Sequence, residues 1–78
     1  MPTKLRVGAV KIYVYGGEHG LPHVHAIHGD KEARITIDDQ VLLTNKGFKQ
    51  REINDLAKAI AANAAVLMGE WNERNKKA

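Results

Sequence analysis

The chain of 78 residues contains no cysteine and no serine, and these two absences exclude several kinds of protein. Without cysteine there is no disulfide framework, no thiolate nucleophile and no cysteine-based zinc finger. Stability must therefore come from an apolar core or from a partner subunit. Without serine, the common hydroxyl nucleophile of hydrolases is also missing. A chain free of cysteine fits a reducing compartment, and we expect a cytoplasmic protein.

Long hydrophobic runs are absent as well. The longest apolar run spans residues 64–68, far short of the roughly 20 residues that a membrane helix needs. The start of the chain, Met1-Pro2-Thr3-Lys4, lacks the apolar stretch of a signal peptide. We expect no membrane segment and one domain over residues 1–78, because a chain of this size buries only about 60% of its unfolded surface.

Acidic residues are fewer than basic ones, 9 against 12, which gives a formal net charge of +3. The excess is not gathered into a basic block. The nearest approach to one is Arg74-Asn75-Lys76-Lys77, which is more simply interpreted as a solubilising helix end, where positive charge suits the helix dipole. Charge alone is therefore weak support for nucleic-acid binding.

The first half of the chain alternates apolar and polar residues with the period of two that is typical of β-strands. The clearest case is residues 10–15, which follow a shorter segment at 5–7 and a turn at Gly8-Ala9. Further strands are predicted from His23 and over residues 32–37. Residues 41–43 are a candidate short edge strand, and residues 44–47 are predicted to form a connecting loop. The pattern predicts three or four antiparallel strands.

The period changes to that of a helix between Gln50 and Asn75. Apolar residues recur there at spacings of three and four over about five turns; they are Ile53, Leu56, Ala57, Ile60, Ala64, Leu67, Met68 and Trp71. Lys49 is the expected N-cap, and a weak one, because its side chain cannot accept a bond from a backbone N–H. The sequence thus predicts an α+β fold in which one long C-terminal helix packs on one face of the antiparallel sheet.

The opposite face of the sheet, called the outer face below, is left without a covering element, and function is best sought there. Strand alternation places polar and aromatic residues on it: Lys11, Tyr13, Tyr15, His23, His25, Glu32, Arg34 and Thr36. Because side chains two residues apart on a strand point the same way, His23 and His25 are expected to be adjacent. His28 lies at a strand end or faces the core, and we expect it to take no part.

Three interpretations of the outer face stay open, and whether the chain is an enzyme is one of the open points. The first is metal-independent cleavage of RNA, which needs a general acid and base, a cation for the developing charge and a surface on which bases stack. The catalytic candidates are His23, His25 and Arg34. The binding candidates are Lys11, Tyr13, Tyr15 and His19.

The second interpretation is a non-enzymatic module whose outer face binds a protein or a nucleic acid, since Tyr and Arg are common in interfaces too. The third is a metal site built from His19, His23 and His25. The sequence favours this metal site least, and no cofactor is expected. The uncovered face and an exposed edge strand would also allow two copies to pair, so a homodimer is weighed beside a monomer.

The motifs now identified resemble those of a family of small bacterial proteins described only as a domain of unknown function. The matching residues are Glu18-His19, Pro22-His23-Val24-His25, Gly47-Phe48, Arg51-Glu52, and Leu67 with Trp71. Leu21 stands where the family pattern has a first proline, and Lys49 where it has a capping serine. The resemblance implies a component of a toxin–antitoxin module with a small cognate protein partner encoded nearby. Under this resemblance the outer face has two competing roles. It is either the site at which a toxin acts on RNA or the face that docks the partner.

Overall fold

A computed structural model of the chain describes residues 4–15 and 20–75. Within these residues the strands are β1 (Lys4–Val7), β2 (Val10–Tyr13), β3 (His23–His28), β4 (Lys31–Thr36) and β5 (Leu42–Lys46), followed by the helices α1 (Gln50–Ala62) and α2 (Ala64–Arg74). Each strand pairs antiparallel with its neighbours in sequence, in the order β1-β2-β3-β4-β5. The predicted α+β class is confirmed. The predicted three or four strands are corrected to five, and the single helix to two.

The core lies between one face of the sheet and the apolar stripe of the helices. Every strand residue predicted to face the helix is buried: Val10, Ile12, Val14, Val24, Ala26, Ala33, Ile35 and Ile37. From the helices, Ile53, Leu56, Ile60, Leu67 and Trp71 join them, together with Phe48. Period-two and helical patterning therefore identified the two surfaces that remove apolar area from water, which is the main force that holds the fold together.

The helical segment breaks at Asn63, which the sequence did not predict. Asn63 has φ −117° and ψ 17°, outside the helical range. Its side-chain amide donates a hydrogen bond to the Ala59 carbonyl at 2.8 Å. Asparagine competes in this way for backbone groups at the end of a helix. The break leaves the apolar period intact, so the hydrophobic pattern contains no sign of it.

Strand β5 is longer than predicted and lies further along the chain, because it includes residues 44–46 of the expected loop. It pairs with β4 through Arg34 opposite Thr44 and Ile35 opposite Leu42, with a bulge between the two pairs. The preceding turn is held by side chains: the Val41 N–H donates to the Thr36 hydroxyl at 2.8 Å. The polar residues of β5 are exposed on an edge, so they lack the alternation that marks a half-buried strand.

The start of α1 is fixed by the residues just before it. The Asn45 side chain accepts a bond from the Phe48 N–H at 3.1 Å and donates to the Phe48 carbonyl at 3.0 Å. Lys49 is the N-cap, as predicted, and its N–H donates to Glu52 Oε1 at 3.0 Å. This hydrogen bond to the backbone lowers the pKa of the Glu52 carboxyl, and the nearby Lys31 charge lowers it further. Among the described residues, neither helix has the length and apolar content that crossing a membrane requires.

Candidate functional site on the outer face

Strand pairing brings candidate residues from three strands, and one residue of a fourth, into one row on the outer face. Tyr13 pairs with His25, His25 with Arg34, and Arg34 with Thr44. Side chains that are directly opposite on neighbouring strands have their Cβ atoms about 4.5–5.5 Å apart. Tyr13, His25 and Arg34, which lie far apart in the sequence, are therefore neighbours in space. The row also contains Thr44, which the sequence placed in a loop.

Four aromatic side chains of the outer face continue into the single tryptophan of α2 as a chain of rings. Tyr13 and Tyr15 stack with centroids 5.8 Å apart, and Tyr15 meets His25 edge-on at 4.7 Å. His25 lies 5.1 Å from His23, and His23 lies 5.1 Å from Trp71. Trp71 is buried, as predicted for a core residue. It also contacts His23 of the outer face, a role that its place in the apolar stripe does not reveal.

His23 and His25 are adjacent, as their spacing predicts, but each is only 5% exposed. His23 Nδ1 lies 2.8 Å from the Leu21 carbonyl oxygen. Since a carbonyl oxygen only accepts, this nitrogen carries a proton. His25 Nδ1 faces Glu32 Oε2 at 3.4 Å. Buried imidazoles held in this way are suited to supporting the neighbouring Tyr15 and Arg34 more than to meeting a large substrate directly.

The outer face is basic. Its charged strand residues include four cations, Arg6, Lys11, Arg34 and Lys46, and one carboxylate, Glu32, in the part of the chain whose side chains are described. Arg6, Arg34 and Lys46 are exposed. These cations are spread over forty positions of the sequence and form no basic block there. The folded sheet brings them onto one surface.

Arg6 and Lys46 were missed as site residues by the sequence analysis. Lys46 belongs to the segment predicted as a loop. For the first predicted strand, which contains Arg6, no sheet face was predicted. A signal was present, because Lys46 follows Thr44 at the two-residue spacing of a strand face. A shallow depression between β4 and β5 is lined by Glu32, Arg34, Thr44, Asn45 and Lys46.

The metal interpretation requires His19, which lies outside the described residues, as do Gly16, Gly17 and Glu18. Over residues 4–15 and 20–75, no group of three His, Asp or Glu side chains is placed to hold a metal ion. His28 is exposed at the end of β3, away from His23 and His25. The grouping that the described residues do show is therefore one of aromatic rings and cations.

One comparison with known proteins gave a match. The model of a family described as "Domain of unknown function (DUF4160)" matches residues 9–72. This range includes the histidine pair, the Gly47-Phe48 turn and Trp71. No curated protein and no solved structure matches the chain.

Proposed function

Because the chain belongs to the DUF4160 family of domains of unknown function, its activity has to be inferred from its own surface, and we propose that it binds single-stranded RNA on the outer face. The observation that carries the proposal is the row of Tyr13, His25, Arg34 and Thr44, flanked by further cations. Arg34 and Thr44 of this row are exposed, so a ligand can reach them.

Proteins bind single strands by combining cations along the phosphate backbone with aromatic rings on which bases stack. Arg34, Thr44 and Lys46 all line the depression between β4 and β5. Guanidinium, ammonium and hydroxyl groups are the donors that phosphate accepts from. The stacked Tyr13 and Tyr15 rings, both half-buried, offer the aromatic surface beside these donors.

The binding test uses a fluorescently labelled oligouridine and measures anisotropy over a range of salt concentrations. We expect the double variant Arg34→Gln/Lys46→Gln to bind about tenfold more weakly or worse. The salt slope should fall by about 1.4, because each phosphate contact on a single strand contributes about 0.7. The matched control is Arg51→Gln/Lys58→Gln, which removes the same charge from exposed positions of α1.

The control should bind as the wild type does, apart from a small uniform loss from the lower net charge. Equal weakening of the two double variants would contradict the proposal, because binding would then depend on overall charge and not on the outer face. Absence of binding by the wild type at low salt would also overturn it.

A second candidate function, metal-independent cleavage of RNA, is favoured by one observation. His25 Nδ1 faces the Glu32 carboxylate at 3.4 Å while a second imidazole lies beside it. A carboxylate that orients an imidazole is a common arrangement for a general base. If the histidines only support the binding surface, the RNA remains intact after incubation with the wild type in EDTA. Cleavage that persists in EDTA and is lost in His25→Ala would establish the catalytic role.

The resemblance described above extends the proposal to a two-protein module of the toxin–antitoxin kind. The support for this extension is the family pattern, together with an open face that RNA or a partner could occupy. Co-expression of the tagged chain with the product of its neighbouring gene tests it, and we expect the two proteins to purify together. If the two proteins purify separately, the proposal of a two-protein module is contradicted. The RNA-binding proposal is unaffected, because the anisotropy experiment tests it independently.

A further inference from the structure

Strand β5 combines an open sheet edge with a group of exposed aliphatic side chains. Val41, Leu42 and Leu43 are consecutive in the chain, and their exposed fractions are 48%, 39% and 43%. Among the residues that the structure describes, β5 pairs with β4 on one side and ends the sheet on the other. An edge strand presents unpaired N–H and C=O groups, and apolar residues beside them favour pairing with another strand.

The opposite edge of the sheet is different. Arg6, in the middle of β1, is exposed, and charged residues discourage edge pairing. The aliphatic residues of β1, Leu5 and Val7, are half-buried against the core. By contrast, β5 contains a single charged residue, Lys46, which lies at its end.

We propose that β5 pairs antiparallel with β5 of a second copy of this chain. A twofold axis along the sheet normal, centred on Leu42 or Leu43, brings the aliphatic groups of the two copies together. The end of β5 in one copy then lies beside the turn that precedes β5 in the other copy. Lys46 thereby approaches the Asp38-Asp39 turn, whose two residues are exposed. This charge complementarity selects a second copy as the partner.

The dimer would form one sheet of ten strands, five from each copy. An axis along the sheet normal keeps both outer faces on the same side and both helical layers on the other. Arg34 and Thr44 of the two copies would then lie on one continuous surface. The functional role of this continuous surface rests on the proposed RNA binding. The dimer itself does not depend on RNA binding, and its test contains no RNA, so the two proposals can fail separately.

Analytical ultracentrifugation of the untagged full chain tests the dimer over a wide concentration range. We expect the wild type to sediment at twice the monomer mass of 8.6 kDa, and Leu43→Lys to sediment as a folded monomer. The control, Val66→Lys, introduces the same lysine at a 63% exposed aliphatic position of α2 and should remain dimeric. A monomeric wild type at all concentrations would overturn the proposal, as would dimeric Leu43→Lys.

A cross-linking experiment decides the question even if Leu43→Lys does not fold. Because the chain has no cysteine, Leu43→Cys introduces a single thiol close to the proposed twofold axis. Opposite residues on paired strands are near enough for a short bis-maleimide to link them. We expect efficient cross-linking of Leu43→Cys and little of Val66→Cys. Equal yields from the two variants would contradict pairing through β5.

Discussion

Lys49 occupies the N-cap of α1 with a side chain that has no hydrogen-bond acceptor. Its backbone is extended, with φ −82° and ψ 160°, and its N–H already donates to Glu52. A serine at this position would accept a bond from the Glu52 N–H and complete a capping box. We expect Lys49→Ser to raise the free energy of unfolding by about 1 kcal/mol in urea denaturation.

The control for this change is Lys49→Ala, which removes the same charge but supplies no acceptor. We expect the alanine variant to be less stable than the serine variant by about the value of the cap. If the two variants unfold at the same urea concentration, the first turn of α1 does not use residue 49 as its cap.

For single residues of the candidate site, side-chain alternation predicts which face of the sheet a residue occupies but not whether it is buried. Alternation assigned Tyr13, His25 and Arg34 to the same face, and the strand pairing agrees. It could not predict the burial of His23, because Trp71, which packs against His23, lies almost fifty residues further along the chain. Which face a residue occupies is a local property, whereas what covers that residue depends on tertiary packing.

The turn into α1 depends on Gly47, which has φ +95°. A Cβ atom at this position would lie 2.9 Å from Lys31 Cγ. Alanine therefore meets both a strained backbone and a steric contact, and we expect Gly47→Ala to lower the free energy of unfolding by about 1–2 kcal/mol. Adding Lys31→Ala removes the steric contact. The double variant should therefore regain the part of the free energy of unfolding that the contact costs, and should still lack the part that the strained backbone costs.

Gly69 provides a matched control within α2, because a Cβ atom there meets nothing within 4 Å. Alanine is favoured over glycine inside a helix by about 0.5–1 kcal/mol. Gly69→Ala should therefore stabilise the chain while Gly47→Ala destabilises it. Shifts of the urea midpoint in the same direction would show that the turn at Gly47 does not need its left-handed conformation.

The elements themselves were predictable where one side of a segment is buried. The four strands that contact the core and the apolar stripe of the helices follow from periodicity. The break at Asn63 and the extent of β5 do not, because both depend on side-chain bonds that periodicity does not record. Asn63 bonds the Ala59 carbonyl, and Thr36 bonds the Val41 N–H and Asp39.

For the molecule as a whole, the end of α2 is tied to the segment that follows β2. The Asn75 side-chain amide donates to the Tyr15 carbonyl at 3.1 Å, across 60 positions of the chain. We expect Asn75→Ala to lower the free energy of unfolding by about 1 kcal/mol, measured in urea. The control is Asn72→Ala, at an exposed position of α2, which should change stability little. Equal losses in the two variants would argue against the tie to Tyr15.

The order of the strands has a consequence for how the chain folds. Each strand pairs with the strand next to it in sequence, so the sheet forms by closing short loops, which costs little entropy and is fast. The packing of Trp71 on His23 must instead close a loop of almost fifty residues. We therefore expect the sheet to assemble before α2 docks. The chain of rings on the outer face is then completed in the last step of folding. A partly synthesised chain that lacks α2 would present the strands of the site without Trp71 packed on His23.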